Sequence, residues 1–151
     1  MTLRFAYRAA TFTRPKAALG GRSSVSRPLI PVTLIGPGGT WVLDGLVDSG
    51  ADGILVPAFV APIIGIDLTS AAPEATRGIG GSNVTTYYAD VTMRIADQNE
   101  QREWSALVGF AQLTSRNVLL GHAGFLQYFT TILHGDLEFV ELTVNALYPG
   151  T

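Results

Sequence analysis

Glycine and proline divide this chain into short apolar pieces. Its 151 residues include 17 glycines and 8 prolines, with 47% hydrophobic and only 15% charged residues. Such a mixture suits many short strands joined by turns, an all-β design. The length is that of one domain, large enough to bury a core. No apolar run is long enough to cross a bilayer, and nothing has the h-region of a secretory signal, so a soluble protein is expected, the cytoplasm favoured and the compartment otherwise open. Cysteine is absent, which excludes disulfides, thiol catalysis and cysteine-ligated metals.

The pieces can be read in order. Pro28 to Ile35 is apolar and β-branched, Gly36-Pro37-Gly38-Gly39 makes a tight connection, and Thr40 to Val47 returns as a second strand. After Ile54-Leu55-Val56, Pro57 opens a short helix over Ala58 to Ile64, stopped by Gly65. Asp67 to Glu74 reads as loop. Val84 to Ile95 reads as a long strand, Asn117 to Leu120 as a buried one, and Phe125 to Phe129 as one or two helical turns. Thr130 to Leu133 and Leu137 to Leu142 follow as strands. Tyr87, Trp104, Phe110, Phe125, Phe129 and Phe139 are expected to supply core volume.

Charge is distributed unevenly. Before position 44 stand Arg4, Arg8, Arg14, Lys16, Arg22 and Arg27 with no acid, whereas from Asp44 onward twelve acids face Arg77, Arg94, Arg102 and Arg116. The two parts should attract. A basic, acid-free start resembles an organelle transit peptide or a nucleic-acid arm. Against targeting, Leu3 to Arg8 alternates apolar and charged residues as a half-buried strand does. The expected division is therefore a basic N-terminal strand, arm and loop over 1–27, in which Thr11 to Arg27 is loop, and a main domain over 28–151.

Three elements carry chemistry. The first is Val47-Asp48-Ser49-Gly50-Ala51-Asp52, entered and left through apolar strands. A carboxylate at the end of a rigid strand, held by fixed donors, can polarise a water. Gly50 permits a tight turn and close approach of a partner backbone, Ser49 offers a hydroxyl to neighbouring main chain, and Ala51 keeps the floor open. Alone, the same residues also make an ordinary polar turn. The second element is the glycine-dense tip Arg77-Gly78-Ile79-Gly80-Gly81-Ser82, which can bend as a cover that pairs with an extended peptide. It lacks the Gly-Lys-Ser/Thr ending and following helix of a phosphate site. The third is Val118-Leu119-Leu120-Gly121, where a residue without a side chain lets another segment cross close by.

Taken in order, these elements make the chain resemble a retropepsin-like aspartic protease of the single-lobe, retroviral type, over roughly residues 28 to 142. The resemblance implies a closed, mostly antiparallel β-barrel working as a homodimer, each subunit donating one Asp-Ser/Thr-Gly loop at a two-fold axis. It implies that Asp48 is the catalytic aspartate, that Ser49 and Gly50 complete its loop, and that Arg77 to Ser82 lie at or near a flap tip. Ala51, Asp52, Ile54, Val56, Ile79 and Val84 would line the substrate groove and suit apolar side chains. Many relatives carry Gly-Arg-Asp or Gly-Arg-Asn where this chain has Gly121-His122-Ala123, so a titratable imidazole at His122 could change dimer strength or loop geometry between about pH 5 and 8.

One carboxylate is half of a catalytic pair. Two about 4 Å apart at an effective dielectric near 20 repel by roughly 4 kcal/mol, enough to raise one pKa by about 3 units, so that one proton is shared. The expected reaction is peptide-bond hydrolysis by a water between two copies of Asp48, with no metal, cofactor, membrane or nucleic acid involved. Rival readings are a serine hydrolase on Ser49, which lacks a Gly-x-Ser-x-Gly elbow, and a metal held by His122, His134 and Asp136. A third is an inactive barrel serving as a dimerisation or peptide-binding module.

Overall fold

The structure, a computed structural model, describes residues 1–78 and 80–151. Twelve strands and one short helix follow in order: β1 (Thr2–Ala6), β2 (Arg8–Lys16), β3 (Arg22–Arg27), β4 (Leu29–Gly36), β5 (Gly39–Val47), β6 (Ile54–Pro57), α1 (Val60–Ile63), β7 (Pro73–Arg77), β8 (Asn83–Ala96), β9 (Gln101–Ala111), β10 (Val118–Leu120), β11 (Phe129–His134) and β12 (Phe139–Val144). The all-β reading holds.

Six strands close into a barrel. Their order is β4-β5-β10-β6-β9-β8, and β8 returns to β4 through Thr33↔Arg94, Leu34↔Met93 and Ile35↔Thr92. Pairing is mostly antiparallel, with β10 parallel to β5 and β6 parallel to β9. The expected alternation places Ile30, Val32 and Leu34 of β4 inside with Val91, Met93 and Ile95 of β8 and Trp104, Ala106, Val108 and Phe110 of β9. In β8 burial changes parity, from Thr86 to Val91, Met93 and Ile95, because its first half pairs with β7 and only its second half closes the barrel.

A second, three-stranded sheet of order β1-β12-β11 packs beside the barrel. The strand expected at the N-terminus is present: Leu3↔Leu142 and Phe5↔Val140 put four buried side chains into the core. Asp97, in the β8–β9 turn, accepts the main-chain N–H of Arg4 at 3.0 Å and ties β1 to the barrel. Beneath lies an aromatic cluster in which Trp104 meets Phe125, Phe129 and Tyr148 at centroid distances of 6.1, 5.3 and 6.0 Å. Tyr87 and Phe139, expected in the core, are only half-buried, and Phe139 stacks on His134.

Two local expectations need correction, and one strand lay outside them. Thr11 to Arg27 is not a loop: β2 and β3 form a separate two-stranded ribbon, paired from Arg8↔Arg27 to Thr11↔Ser24 with an irregularity before Lys16↔Arg22. Its residues carry no buried face, so the alternation that marks a core strand has no cause to be present. Asp67 to Glu74 contains a 3₁₀ turn over Leu68–Ser70, capped by the Asp67 carboxylate, and the start of β7. The β9 strand had drawn no local reading at all, although it forms the longest shared edge with β8.

Candidate active site

Asp48 stands just beyond the end of β5, where three distant parts of the chain meet. β10 slides between β5 and β6, so that Leu120 pairs with Val47 on one side and Ile54 on the other. The loop from Asp48 to Gly53 must therefore arch over the end of β10. Main-chain hydrogen bonds fasten it there: Asp48 N–H to Leu120 O at 3.1 Å, His122 N–H to Ala51 O at 2.9 Å and Ala123 N–H to Asp52 O at 2.8 Å. Gly121 is the crossing point expected of it, because a β-carbon there would stand 2.5 Å from the Ala51 carbonyl oxygen.

The carboxylate is oriented from within its own turn. Gly50 N–H donates to Asp48 Oδ1 at 2.9 Å, and Ala51 N–H donates to the Asp48 carbonyl at 3.2 Å. Asp48 keeps partial exposure, while Ser49, Gly50 and Asp52 are exposed and Ala51 is half-buried. The exposed Ser49 makes no side-chain hydrogen bond among the described residues. A fixed, partly solvated carboxylate with an open face can hold and polarise a water, or meet a second carboxylate.

The remaining residues divide. Ile54 and Val56 are fully buried, at 1% and 0% exposure. Val56 therefore has no surface for a ligand in this chain, a correction to its expected place in the groove. The parity of β6 turns both residues inward and Leu55 the other way. Ile54 still borders a recess of about 360 Å3 beside the loop, lined also by Asp52, Tyr88, Asp90, Ala106 and Tyr128. Tyr88, Asp90 and Tyr128 had no sequence signal for this role, since the recess forms only where β8 passes the segment after β10.

Arg77 ends β7, opposite Asn83, Gly78, Gly80, Gly81 and Ser82 lie in the hairpin tip between β7 and β8, and Val84 is half-buried just below them. Gly78 N–H donates to Ser82 O at 2.9 Å, and Gly80 and Gly81 adopt φ of 92° and 83°. Ile79 lies outside the described residues. Among the described residues no hydrogen bond joins this tip to the Asp48 loop. The imidazole of His122 is exposed, whereas His134 Nε2 lies 2.8 Å from Glu141 Oε1. Among the described residues no three acidic or histidine side chains gather as metal ligands, and no helix is long and apolar enough to cross a membrane.

No protein-family model and no curated protein matches the chain. Solved structures do. A retropepsin-like aspartic protease from Rickettsia conorii superposes over 94% of this chain and 90% of its own, with a TM-score of 0.54 and 16% identity. EIAV protease, solved with the inhibitor HBY-793, covers 64% of this chain and 82% of its own at 21% identity, more loosely, with a TM-score of 0.45. At 16% identity over nearly the full length, what is common to both molecules is the backbone path, and this chain has the closed-barrel fold of the retropepsin-like aspartic proteases.

Proposed function

We propose that the chain is one subunit of a homodimeric aspartic endopeptidase, with Asp48 of each copy forming the catalytic pair. The observation that carries this reading is the Asp48 turn: a carboxylate held by Gly50 N–H at 2.9 Å and fastened through its main chain to Leu120, yet open on one side. The open side is where a twin supplies the second carboxylate. Brought within about 4 Å in a poorly solvated seam, the two repel by roughly 4 kcal/mol and are stabilised by sharing one proton.

The ionised carboxylate then takes a proton from a bridging water as its oxygen attacks the scissile carbonyl carbon, and the protonated one donates to the carbonyl oxygen. As the tetrahedral diol collapses, the now ionised carboxylate takes back a hydroxyl proton while the one protonated from the water gives its proton to the leaving nitrogen, and the C–N bond breaks. Ser49, exposed and free of intrachain hydrogen bonds among the described residues, is placed to bond across the seam. The β7–β8 tip would close over an extended peptide lying along the loop. Asp52 and Ile54 would line its groove.

The test is a pair of measurements on purified protein. Asp48→Asn abolishes hydrolysis of a peptide library while circular dichroism and mass in solution stay those of the wild-type dimer. Cleavage of the same bonds by that variant refutes the assignment.

A further inference from the structure

The ribbon of β2 and β3 has no role in the barrel. It is its own sheet, and none of its residues is buried. An isolated two-stranded ribbon is marginal in water at best. What holds this one is its root: Tyr7 N–H donates to Glu138 O at 2.8 Å, Arg8 pairs with Asp44 at 2.7 Å, and Val47 N–H donates to Pro28 O at 3.1 Å. Val47 immediately precedes Asp48, so the ribbon leaves the subunit one residue from the candidate catalytic carboxylate.

Its charge is one-sided. Arg14, Lys16, Arg22 and Arg27 form no ion pair among the described residues. Lys16 Nζ and the Arg27 guanidinium gather over the Phe12 ring, 5.2 and 5.4 Å from its centroid, which concentrates two cations around one apolar patch. From Asp44 onward, twelve acids against four arginines leave a net charge of minus eight. Asp52 and Asp90, both exposed, face the recess beside the active loop, whose lining contains no lysine or arginine.

We propose that the ribbon is an arm that lies on the acidic surface of a second copy of this chain and so clamps the dimer. The inference rests on the homodimeric reading above. An axis that brings two Asp48 loops together also brings Val47, and with it the Pro28 end of each ribbon root, near the seam, from where each arm would reach its twin. Asp52 and Asp90, exposed on such a twin, would supply the opposite charge, and attraction across a partly desolvated seam would add to the apolar contact of Phe12. A nucleic acid would also attract four open cations; the position of the root beside Val47 favours the twin.

The experiment measures the dimer dissociation constant by analytical ultracentrifugation, at about 50 mM and about 500 mM salt. It compares wild type, the variant R14Q/K16Q/R22Q/R27Q, and a chain in which residues 9–26 are replaced by a short Gly-Ser linker. The proposal expects the wild-type dimer to weaken about tenfold or more at high salt, and both variants to be about tenfold or more weaker at low salt with little salt dependence left. A wild-type dimer that tolerates salt and both replacements overturns the arm and leaves the homodimer standing. So does a variant that loses binding to a labelled oligonucleotide while dimerising normally. A wild type that is monomeric throughout overturns the homodimeric reading itself, and the arm with it.

Discussion

Gly121 passes so close beneath Ala51 that a β-carbon on it would come within 2.5 Å of the Ala51 carbonyl oxygen, with the Gly53 carbonyl nearer still. That carbonyl of Ala51 is also the acceptor for His122 N–H. The pair joins the loop carrying Asp48 to the end of β10, and both contacts are backbone, which cannot rotate away.

Gly121→Ala should therefore displace the loop rather than be absorbed by it. Overpacking at a backbone crossing costs on the order of 1–3 kcal/mol. The expected outcome is a lower melting temperature together with loss of peptide hydrolysis. A variant with wild-type stability and turnover would show that the loop is not held by this crossing.

Trp104 connects the core to the same segment. Its indole N–H donates to Gly124 O at 2.8 Å, three residues beyond Gly121. Trp104→Phe keeps an aromatic ring against Phe129 and Tyr148 but leaves that carbonyl without its partner, a loss of roughly 1–2 kcal/mol. Urea denaturation followed by circular dichroism measures it. The fluorescence that remains then reports Trp41 alone, at 39% exposure.

Asp97 gives a pH dependence with a defined sign. Burial pushes its carboxyl up, but the main-chain N–H groups of Asn99, Arg4 and Glu100 together hold it below the usual carboxylate range. A folded-state value below the unfolded one of about 3.9 means that the stabilisation is fully present above that pH and lost as pH falls through the folded value. Asp97→Ala should lower stability near neutrality by less than about 1 kcal/mol, because water screens this largely solvated carboxylate. Melting temperatures taken as a pH series should show the gap to wild type closing below about pH 4; a constant gap would contradict the linkage.

The hairpin tip offers a test of the flap proposal that spares the fold. A β-carbon on Gly80 or Gly81 meets nothing within 4 Å, but both residues have positive φ, which costs an L-residue roughly 1–2 kcal/mol. Gly80→Ala with Gly81→Ala should reshape the exposed turn, leave the global melting temperature near wild type, and reduce kcat/KM by about tenfold, or ~1.4 kcal/mol. Unchanged kcat/KM would remove the tip from the reaction.

Much of the barrel was legible locally because its strands are short, β-branched and bounded by glycine or proline. The β4–β5 hairpin runs in register from Leu29↔Leu46 to Gly36↔Gly39, as the Gly36-Pro37-Gly38-Gly39 connection implies. Asp48, Ser49 and Gly50 were legible as a tight polar turn between apolar strands, and that turn is present; their catalytic role belongs to the proposal, because such a turn by itself is common. Val56 was not legible as core. Alternation says that two faces differ, but which face is covered depends on β9, whose pairing with β6 is non-local.

From the amino-acid order alone came β1, the β4–β5 hairpin, β6, β8, β10, β11 and most of β12, together with the acidic turn, the glycine-rich hairpin tip and the crossing glycine, since each is set by backbone sterics and side-chain period within a few residues. Only the tertiary structure decided that β10 inserts between β5 and β6, that β1 joins β12, and that residues 8–27 make a ribbon standing clear of the barrel. Those outcomes depend on contacts between segments far apart in the chain, whose energies no local window contains. The basic ribbon is the clearest case: with no core face to bury, it left no period to read, and its place beside Asp48 follows from where its root is tied.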